Sequence, residues 1–397
     1  MSRYEVLEGA GPRVEPLPFT DAEYERRLRG VRTLMAERDL AAFVTFTPEN
    51  VYYLTAHDSP GYYFYTATLI THDRPPINVL RVIETSNTLG RGSARLAVGV
   101  GDIEDPVAAT LWLLKELGVA GRTVGAEASA FFVSPARYFQ LQEGVRAAGG
   151  RLVDASMLVE QLRMVKSSEE LVYMREAAKA VSHAMGVALD ASHVGANENE
   201  VAAVTVADLI RAGSEEAGLP QFITSGPRTS LVHSTWAGRV YERGDVLNYE
   251  LAGVFKRYAS PFFRCAVVGG PSPEQQGIAD MVLEILQTVL EAIKPGVPAL
   301  EIHAKNRAVF EKHGHVGWPH HRTGYSVGIN YPPDWGEGNI ISIWDGETRP
   351  LQAGMTFHLV PGYSELNRHT VVISETILVT ETGCEALTDY PRKLFSV

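Results

Sequence analysis

The segment Gly244 to Arg264, GDVLNYELAGVFKRYASPFFR, has the pattern of two β-strands joined as a hairpin, which places a β-sheet in the second half of the chain. Successive residues of a strand point to opposite faces, so Asn248 and Glu250 share one face and Tyr249 lies on the other. Glu250 can therefore point into the protein and act on a substrate. The alternative is an ordinary carboxylate at the end of a strand, exposed to solvent.

Composition indicates a soluble globular protein of two or three domains. The chain has 397 residues, of which 45% are hydrophobic and 21% charged. A net charge of -11 without basic clusters argues against a nucleic-acid or membrane partner. The two cysteines, Cys265 and Cys384, lack CxxC spacing, so a disulfide framework is not expected and a reducing compartment is. Because neither a signal peptide nor a membrane-spanning run is recognised, we expect a cytoplasmic enzyme.

The first half of the chain alternates helix and strand signals. A helix is predicted from the capping residue Thr20 to about Arg38. Further helices are predicted at Pro106 to Leu117 and Pro135 to Ala148, and strands at Ala41 to Phe46, Thr66 to Thr71, Ile77 to Glu84 and Arg122 to Glu127. This alternation predicts a small α/β domain.

The second half mixes helices with antiparallel strands and lacks a βαβ rhythm. Ser167 and Glu170 have the spacing of a capping box at the start of a helix that reaches about Ala191. Further helices are predicted at Glu198 to Ala212 and Pro273 to Ile293, and strands at Val246 to Leu251, Val254 to Val268, Met355 to Val360 and Val371 to Thr380. The pattern is α+β.

Six strings of the second half resemble, in order and at similar spacing, the creatinase/aminopeptidase P family. They are LRMVKSSEELVYMREAAKAV, HSTW, the hairpin segment, HRTGYSVG, GMTFHLVPG and ISETILVTETG. The preceding half, with NVYYLT, resembles that family's N-terminal domain, and HRTGYSVGINYPPDWGE is most similar to its metal-free, ectoine-hydrolase-like members. The resemblance implies a pita-bread catalytic domain over residues 161–397, after a smaller creatinase-like α/β domain over residues 1–160.

The two-metal peptidases of this family bind their ions through five side chains. The resemblance assigns those positions here to Glu250, Pro261, His321, Val360 and Glu375. Proline and valine have no side-chain donor atoms, so the usual centre cannot form, and an enzyme without metal or other cofactor is implied. One histidine and two glutamates could still hold a single zinc ion together with a water, and this alternative stays open.

A small cationic substrate fits the residues that are retained. Carboxylates in a cleft repel one another, and a bound cation, whether a metal or an amidinium, relieves that repulsion. By analogy with ectoine hydrolases, Glu250 attacks an amidine carbon and forms a covalent intermediate. His233 matches the histidine that gives and takes protons in creatinase-like enzymes, and a purely structural role is its alternative.

The other candidates orient or bind the substrate. His321 would orient it or hold a carboxylate, unless His320 has that role instead. Glu375 shares a predicted strand face with aliphatic residues, so it needs a partner, which could be catalytic or simply Arg264. The substrate-binding candidates are Tyr325, Arg322, Trp335, Tyr62 and Arg81. The last two would act from a neighbouring subunit, because the resemblance implies a homodimer in which the N-terminal domain of one subunit completes the active site of the other.

Three functional hypotheses follow from the sequence. The first is a metal-independent hydrolase of a C–N bond in a cyclic amidine or guanidino compound. The second is a metal-dependent Xaa-Pro peptidase with a reduced ligand set. The third is an inactive relative that serves as a binding protein. The sequence does not determine the substrate.

Overall fold

The computed structural model describes residues 4–397. The chain divides into two compact units, one that reaches to Arg163 and one that runs from Met164 to Val397. Both units combine helices with mixed or antiparallel sheets, so the predicted α+β class is confirmed. No helix among residues 4–397 is long and apolar enough to cross a membrane.

The first unit is a sheet flanked by helices. Its strands are β1 Leu7–Glu8, β2 Ala42–Thr45, β3 Ala67–Thr71, β4 Ile77–Arg81, β5 Leu96–Val100, β6 Thr123–Ala126 and β7 Arg151–Asp154. Its helices are α1 Asp21–Glu37, α2 Pro48–Thr55, α3 Thr85–Arg91, α4 Pro106–Glu116, α5 Pro135–Ala147 and α6 Glu160–Arg163. The sheet order is β1-β5-β4-β3-β2-β6-β7, with parallel pairing for β2–β6, β6–β7 and β4–β5.

The cap predicted for α1 is present, since the Thr20 side chain accepts a hydrogen bond from the Glu23 amide. The predicted strand from Ile77 to Glu84 ends early, because the chain turns into a 3₁₀ helix at Val82–Glu84. Side chains from one face of the sheet pack with α4 and α5 in a hydrophobic cluster of this unit.

The second unit is built on a larger sheet. Its helices are α7 Ser168–Asp190, α8 Glu198–Arg211, α9 Pro273–Ala292 and α10 Ala299–Lys312. Its strands are β8 Phe222–Ser225, β9 Val246–Phe255, β10 Tyr258–Val267, β11 Gly324–Tyr331, β12 Asp334–Gly336, β13 Ser342–Ile343, β14 Thr356–Leu359, β15 Gly362–Glu365, β16 His369–Val372, β17 Glu375–Val379, β18 Cys384–Ala386 and β19 Phe395–Ser396. The main order is β18-β17-β14-β11-β10-β9-β8.

The hairpin β9–β10 is the centre of this sheet. Its turn is formed by Lys256 and Arg257, which both have positive φ values of 45° and 65°, as a two-residue turn between twisted strands requires. The first strand therefore runs further than predicted. Helix α7 covers one face of the hairpin, and a Cβ atom at Gly253 would collide with the Ala177 carbonyl oxygen of that helix. Because α7 buries this face, the opposite face is left to line a cavity.

The strand predicted from Val371 to Thr380 is interrupted. β16 ends at Val372 and β17 begins at Glu375, with Ser374 between them. The amide of Phe263 donates to the Ser374 hydroxyl (2.7 Å), and the Ser374 amide donates to the Phe263 carbonyl (3.2 Å). These bonds fix the break against β10, so the alternation expected for a continuous strand does not hold across it.

Candidate active site

A cavity of about 660 Å³ lies in the second unit, against the face of the β9–β10 hairpin that α7 leaves uncovered. It brings together six of the candidates predicted from sequence: His233, Glu250, His321, Arg322, Tyr325 and Trp335. The structure also adds an acid, Asp334, and four aromatic side chains that sequence reasoning did not select: Phe222, Phe263, Trp318 and Tyr363.

Glu250 occupies the middle of a row of three cross-strand neighbours. In the antiparallel register it is paired with Phe222 of β8 and with Phe263 of β10, and directly opposed residues lie on the same face of a sheet. Burial raises the pKa of Glu250 to about 8, and the negative charge of Asp334 adds to the effect. No hydrogen bond or cation from residues 4–397 offsets these two effects, so the surrounding protein favours the neutral acid.

His233 lies in a turn just after the 3₁₀ helix Gly226–Ser230, with a φ of 57°. Its imidazole is exposed to solvent on one side and stacks on Phe222 on the other, with ring centroids 5.4 Å apart and an interplanar angle of 25°. The same phenylalanine thus contacts His233 and flanks Glu250. This position at the cavity wall is compatible with a histidine that transfers protons between water and a bound substrate.

His321 has a defined tautomer when it is neutral. Its Nδ1 lies 2.8 Å from the Arg322 carbonyl oxygen, which can only accept, so Nδ1 carries the proton and Nε2 keeps its lone pair. Burial by surrounding protein atoms lowers the pKa of His321. The nearby positive charges of Arg322 and His320 lower this pKa further, because they oppose a second positive charge on the ring. His321 is therefore available as a base at neutral pH.

Tyr325 lies on β11, directly opposite His358 of β14. Its hydroxyl accepts a hydrogen bond from Nε1 of Trp335 (3.2 Å) and bonds to Nδ1 of His358 (2.8 Å). The other imidazole nitrogen of His358 lies 2.7 Å from the Ser374 hydroxyl. Burial, together with the charge of Arg322, lowers the pKa of His358 to about 3, so this histidine is neutral. Sequence reasoning missed His358, although the string GMTFHLVPG placed a histidine inside an apolar strand.

Glu375 does not line the cavity. It is fully buried and bound by the Arg264 guanidinium (2.6 Å), the Arg392 guanidinium (3.0 Å) and the Thr388 hydroxyl. Arg264 is also buried, and it donates further hydrogen bonds to the carbonyl groups of Ser374, Tyr390 and Pro391. Both carboxylate oxygens are thus engaged in an anchor between β10, β17 and the C-terminal segment.

The donor groups around the cavity do not fit a metal centre of the family type. Pro261 contributes only its backbone carbonyl, which accepts a hydrogen bond from Thr376 (2.5 Å), and Val360 presents an aliphatic side chain. Glu375 is committed to its arginines. In the described range, residues 4–397, no three His, Cys, Asp or Glu side chains are grouped so that they could hold an ion. The single-zinc alternative would need Glu375 to leave its buried partners.

The two candidates in the first unit belong to an aromatic cluster formed by Tyr62, Tyr63, Phe64, Phe131 and Phe132. The Arg81 guanidinium stacks on Phe64 at 4.1 Å and pairs with Asp102 at 2.8 Å. Tyr63 and Phe131 are exposed for 57% and 77% of their surface, which is unusual for large aromatic side chains.

This two-unit α+β fold, with a carboxyl group and two imidazoles at one cavity, is compatible with a hydrolase of the creatinase and aminopeptidase type. Residues 172–381 match the metallopeptidase family M24, and residues 27–165 match the creatinase/prolidase N-terminal domain. The chain therefore belongs to metallopeptidase family M24, and the predicted family is confirmed.

Relatives of known name include two kinds of hydrolase. The chain is 31% identical to the ectoine hydrolase of Halomonas elongata, over 96% of this chain and 98% of that protein. It is 30% identical to the Xaa-Pro dipeptidase of Pyrococcus furiosus, over 60% of this chain and 66% of that one. Among solved structures, the dipeptidase PepE of Mycobacterium ulcerans has a TM-score of 0.81 at 25% identity, covering 96% of this chain and 99% of its own.

Proposed function

We propose that this protein is a metal-independent hydrolase of a C–N bond in a small cationic amidine or guanidino compound. The observation that carries the proposal is Glu250, which lies between Phe222 and Phe263 on neighbouring strands and lines a cavity with a second acid, while residues 4–397 contain no group of metal-binding side chains. The full-length similarity to an ectoine hydrolase supports the same reading.

Charge favours a cationic ligand. Among the described residues that line the cavity, Glu250 and Asp334 are the carboxylic acids and Arg322 is the strong base. Arg322 is already placed over the Tyr325 ring, 4.3 Å from its centroid, and donates to Ser342. A bound amidinium would provide the counter-charge that Glu250 lacks, so Glu250 would release its proton when the ligand enters. The aromatic walls would favour the same cation through their ring faces.

The reaction balances without a metal ion. Water supplies an oxygen to the amidinium carbon, the bond from this carbon to one nitrogen breaks, and that nitrogen receives the water's protons. The products are an ammonium group and an amide, or a urea when the substrate is a guanidinium, so the positive charge is conserved. Glu250 would first bond to this carbon as the C–N bond breaks and the nitrogen leaves with a proton delivered by His233. Water, losing a proton to His233, would then break the bond to Glu250 and leave its oxygen on the carbon.

A metal-removal experiment separates this proposal from an Xaa-Pro peptidase. Protein dialysed against a chelator should still open the ring of ectoine, with the same rate before and after dialysis and with less than stoichiometric metal by elemental analysis. The physical reason is that the cavity provides carboxyl and imidazole groups, whereas the described part of the chain contains no group of three side chains that could hold a metal ion. Hydrolysis of a Xaa-Pro dipeptide that disappears with the chelator and returns with Mn²⁺ or Zn²⁺ would contradict the proposal. Creatine serves as the guanidino comparison.

We also propose a homodimer in which the first unit of one subunit completes the active site of the other, as the predictions for Tyr62 and Arg81 require. Light scattering should give twice the chain mass of 43.4 kDa. The variants Arg81→Ala and Glu250→Gln should each be inactive. When they are mixed and allowed to exchange subunits, about a quarter of the wild-type sites should be restored, because half of the dimers carry one intact site. A monomeric mass, or exchange without recovery, would contradict the dimer.

A further inference from the structure

The hydroxyl of Ser374 has only one acceptor for its proton. Ser374 is fully buried, and its oxygen already accepts the amide hydrogen of Phe263 at 2.7 Å. Within residues 4–397, the only other group within hydrogen-bond distance of this oxygen is Nε2 of His358, at 2.7 Å. A buried hydroxyl that leaves its proton without an acceptor is costly. Ser374 therefore donates to Nε2, which must be unprotonated.

The hydrogen bond from Ser374 to His358 determines the direction of the hydrogen bond between His358 and Tyr325. A neutral imidazole carries one proton, so if Nε2 accepts from Ser374, the proton is on Nδ1. Nδ1 lies 2.8 Å from the Tyr325 hydroxyl and donates to it. That hydroxyl also accepts from Nε1 of Trp335, which can only donate. The Tyr325 oxygen thus accepts both hydrogen bonds, from His358 and from Trp335. The proton of the Tyr325 hydroxyl then has no acceptor among the described protein groups.

Tyr325 lines the cavity, so that proton is directed toward a ligand. We propose that Tyr325 is a hydrogen-bond donor to the oxygen that is added to the substrate carbon, and that His358 is the positioning residue that forces this direction. The inference rests on the proposed function for the identity of the acceptor. The direction of the hydrogen bond between His358 and Tyr325 rests only on the donors and acceptors available at Ser374, His358 and Tyr325.

Such a donor would act on the transition state more than on the bound substrate. An amidinium group has N–H donors and no lone pair on its nitrogen atoms to accept a bond, so Tyr325 gains little when the substrate binds. Once water adds to the carbon, the new oxygen has lone pairs, and the Tyr325 proton can be donated to it. An interaction that forms only at this stage raises kcat without lowering KM.

The tautomer of His358 is the first test, and it requires no substrate. In protein labelled with ¹⁵N at histidine, two-bond proton–nitrogen correlations identify the protonated ring nitrogen, and the His358→Gln spectrum assigns the signal. The expected result is a neutral ring with the proton on Nδ1. A proton on Nε2 with Nδ1 unprotonated would overturn the proposal, because Tyr325 would then donate to His358. A doubly protonated ring at neutral pH would also overturn it, because the Ser374 hydroxyl proton would then have no acceptor and the hydrogen-bond count would be wrong.

Steady-state kinetics on a cyclic amidine are the second test. Tyr325→Phe should lower kcat about 100-fold with KM changed less than about threefold, as expected for loss of one donor to a developing oxyanion. His358→Gln should lose a similar factor, because its amide reaches toward Ser374 and not toward Tyr325. His358→Asn, whose amide nitrogen lies near the position of Nδ1, should recover at least about tenfold of that loss. Tyr241→Phe is the control, because it removes a buried hydroxyl of the same unit that does not line the cavity.

The outcomes separate the two proposals. If Tyr325→Phe changes KM alone, or leaves both constants unchanged, the catalytic role of Tyr325 is wrong even when the Nδ1 tautomer is found. If the wild type hydrolyses no amidine, the proposed function fails and the catalytic role of Tyr325 falls with it. The tautomer measurement still decides, in that case, whether the Tyr325 proton is directed into the cavity.

Discussion

Replacement of Glu250 by Gln is expected to lower kcat/KM for a cyclic amidine about 10³-fold while the protein remains folded. Gln has nearly the same shape as Glu, so the row of Phe222, residue 250 and Phe263 can stay packed. It cannot ionise, however, and therefore provides neither a counter-charge for an amidinium nor a reacting carboxylate. Initial rates at saturating and at low substrate concentration, with circular dichroism as the folding control, measure the effect.

The pH dependence of the wild type provides a second readout of the same residue. Because the pKa of Glu250 is about 8, most molecules carry the neutral acid below that pH, and a cationic substrate must bind to the ionised minority. We expect kcat/KM to rise about tenfold per pH unit up to pH 8 and then to level off. In the Asp334→Asn control, the rise of kcat/KM with pH should occur at lower pH, because the neighbouring charge that raises the pKa of Glu250 is removed.

The stability of the folded protein should fall as pH rises, whereas kcat/KM should increase. A carboxyl group whose pKa is raised from 4.5 in the unfolded chain to about 8 in the folded protein destabilises the fold as pH rises through this interval. At pH 8 the free energy of unfolding of Glu250→Gln should therefore exceed that of the wild type by about 4 kcal/mol, and the difference should vanish near pH 4. Equal activity of Glu250→Gln and wild type would contradict the proposed role. Full activity of His233→Ala would likewise remove that histidine from the mechanism.

Glu375→Ala is expected to destabilise the second unit by about 3 to 5 kcal/mol. The substitution leaves the fully buried Arg264 without its carboxylate, and an unpaired buried charge is strongly unfavourable. Urea unfolding at neutral pH measures the loss of free energy. Activity per folded molecule should change less than about threefold, since Glu375 does not line the cavity.

An exposed ion pair of the same unit is the matched control. Arg175 and Glu385 lie 2.5 Å apart, but their side chains are 42% and 45% exposed. Glu385→Ala should therefore cost less than about 1 kcal/mol. If Glu375→Ala were as stable as this control and lost activity as Glu250→Gln does, the catalytic role predicted for Glu375 from sequence would be supported in place of the structural one.

Much of the local structure was predictable because it depends on short-range chemistry. The capping box of Ser167 and Glu170 is present at the start of α7, and Ser272 with Gln275 forms a second one at α9. Alternation placed Asn248 and Glu250 on one face of β9, and both line the cavity. Helix α10 was not predicted, since its capping residue is Pro298, which has no side-chain oxygen to accept a hydrogen bond.

The long-range partners were not predictable from these patterns. Asp334 and Glu250 are far apart in the chain, yet their charges interact because β12 folds back on β11 beside the cavity. Glu375 had a face assigned by strand alternation, but the break at Ser374 and the buried Arg264 determine where it points. His358 shows the same limit, since its two hydrogen-bond partners lie on β11 and in the segment before β17.

The sequence by itself determined the family, the α+β architecture and the presence of Glu250 in a hairpin strand, because ordered motifs and period-two alternation are properties of contiguous residues. Only the tertiary structure decided which groups surround that carboxylate and which acid serves as an anchor. The reason is physical: the pKa of Glu250, the ion pair of Glu375 and the direction of the Tyr325 proton depend on atoms that approach through space, from strands that the sequence does not align.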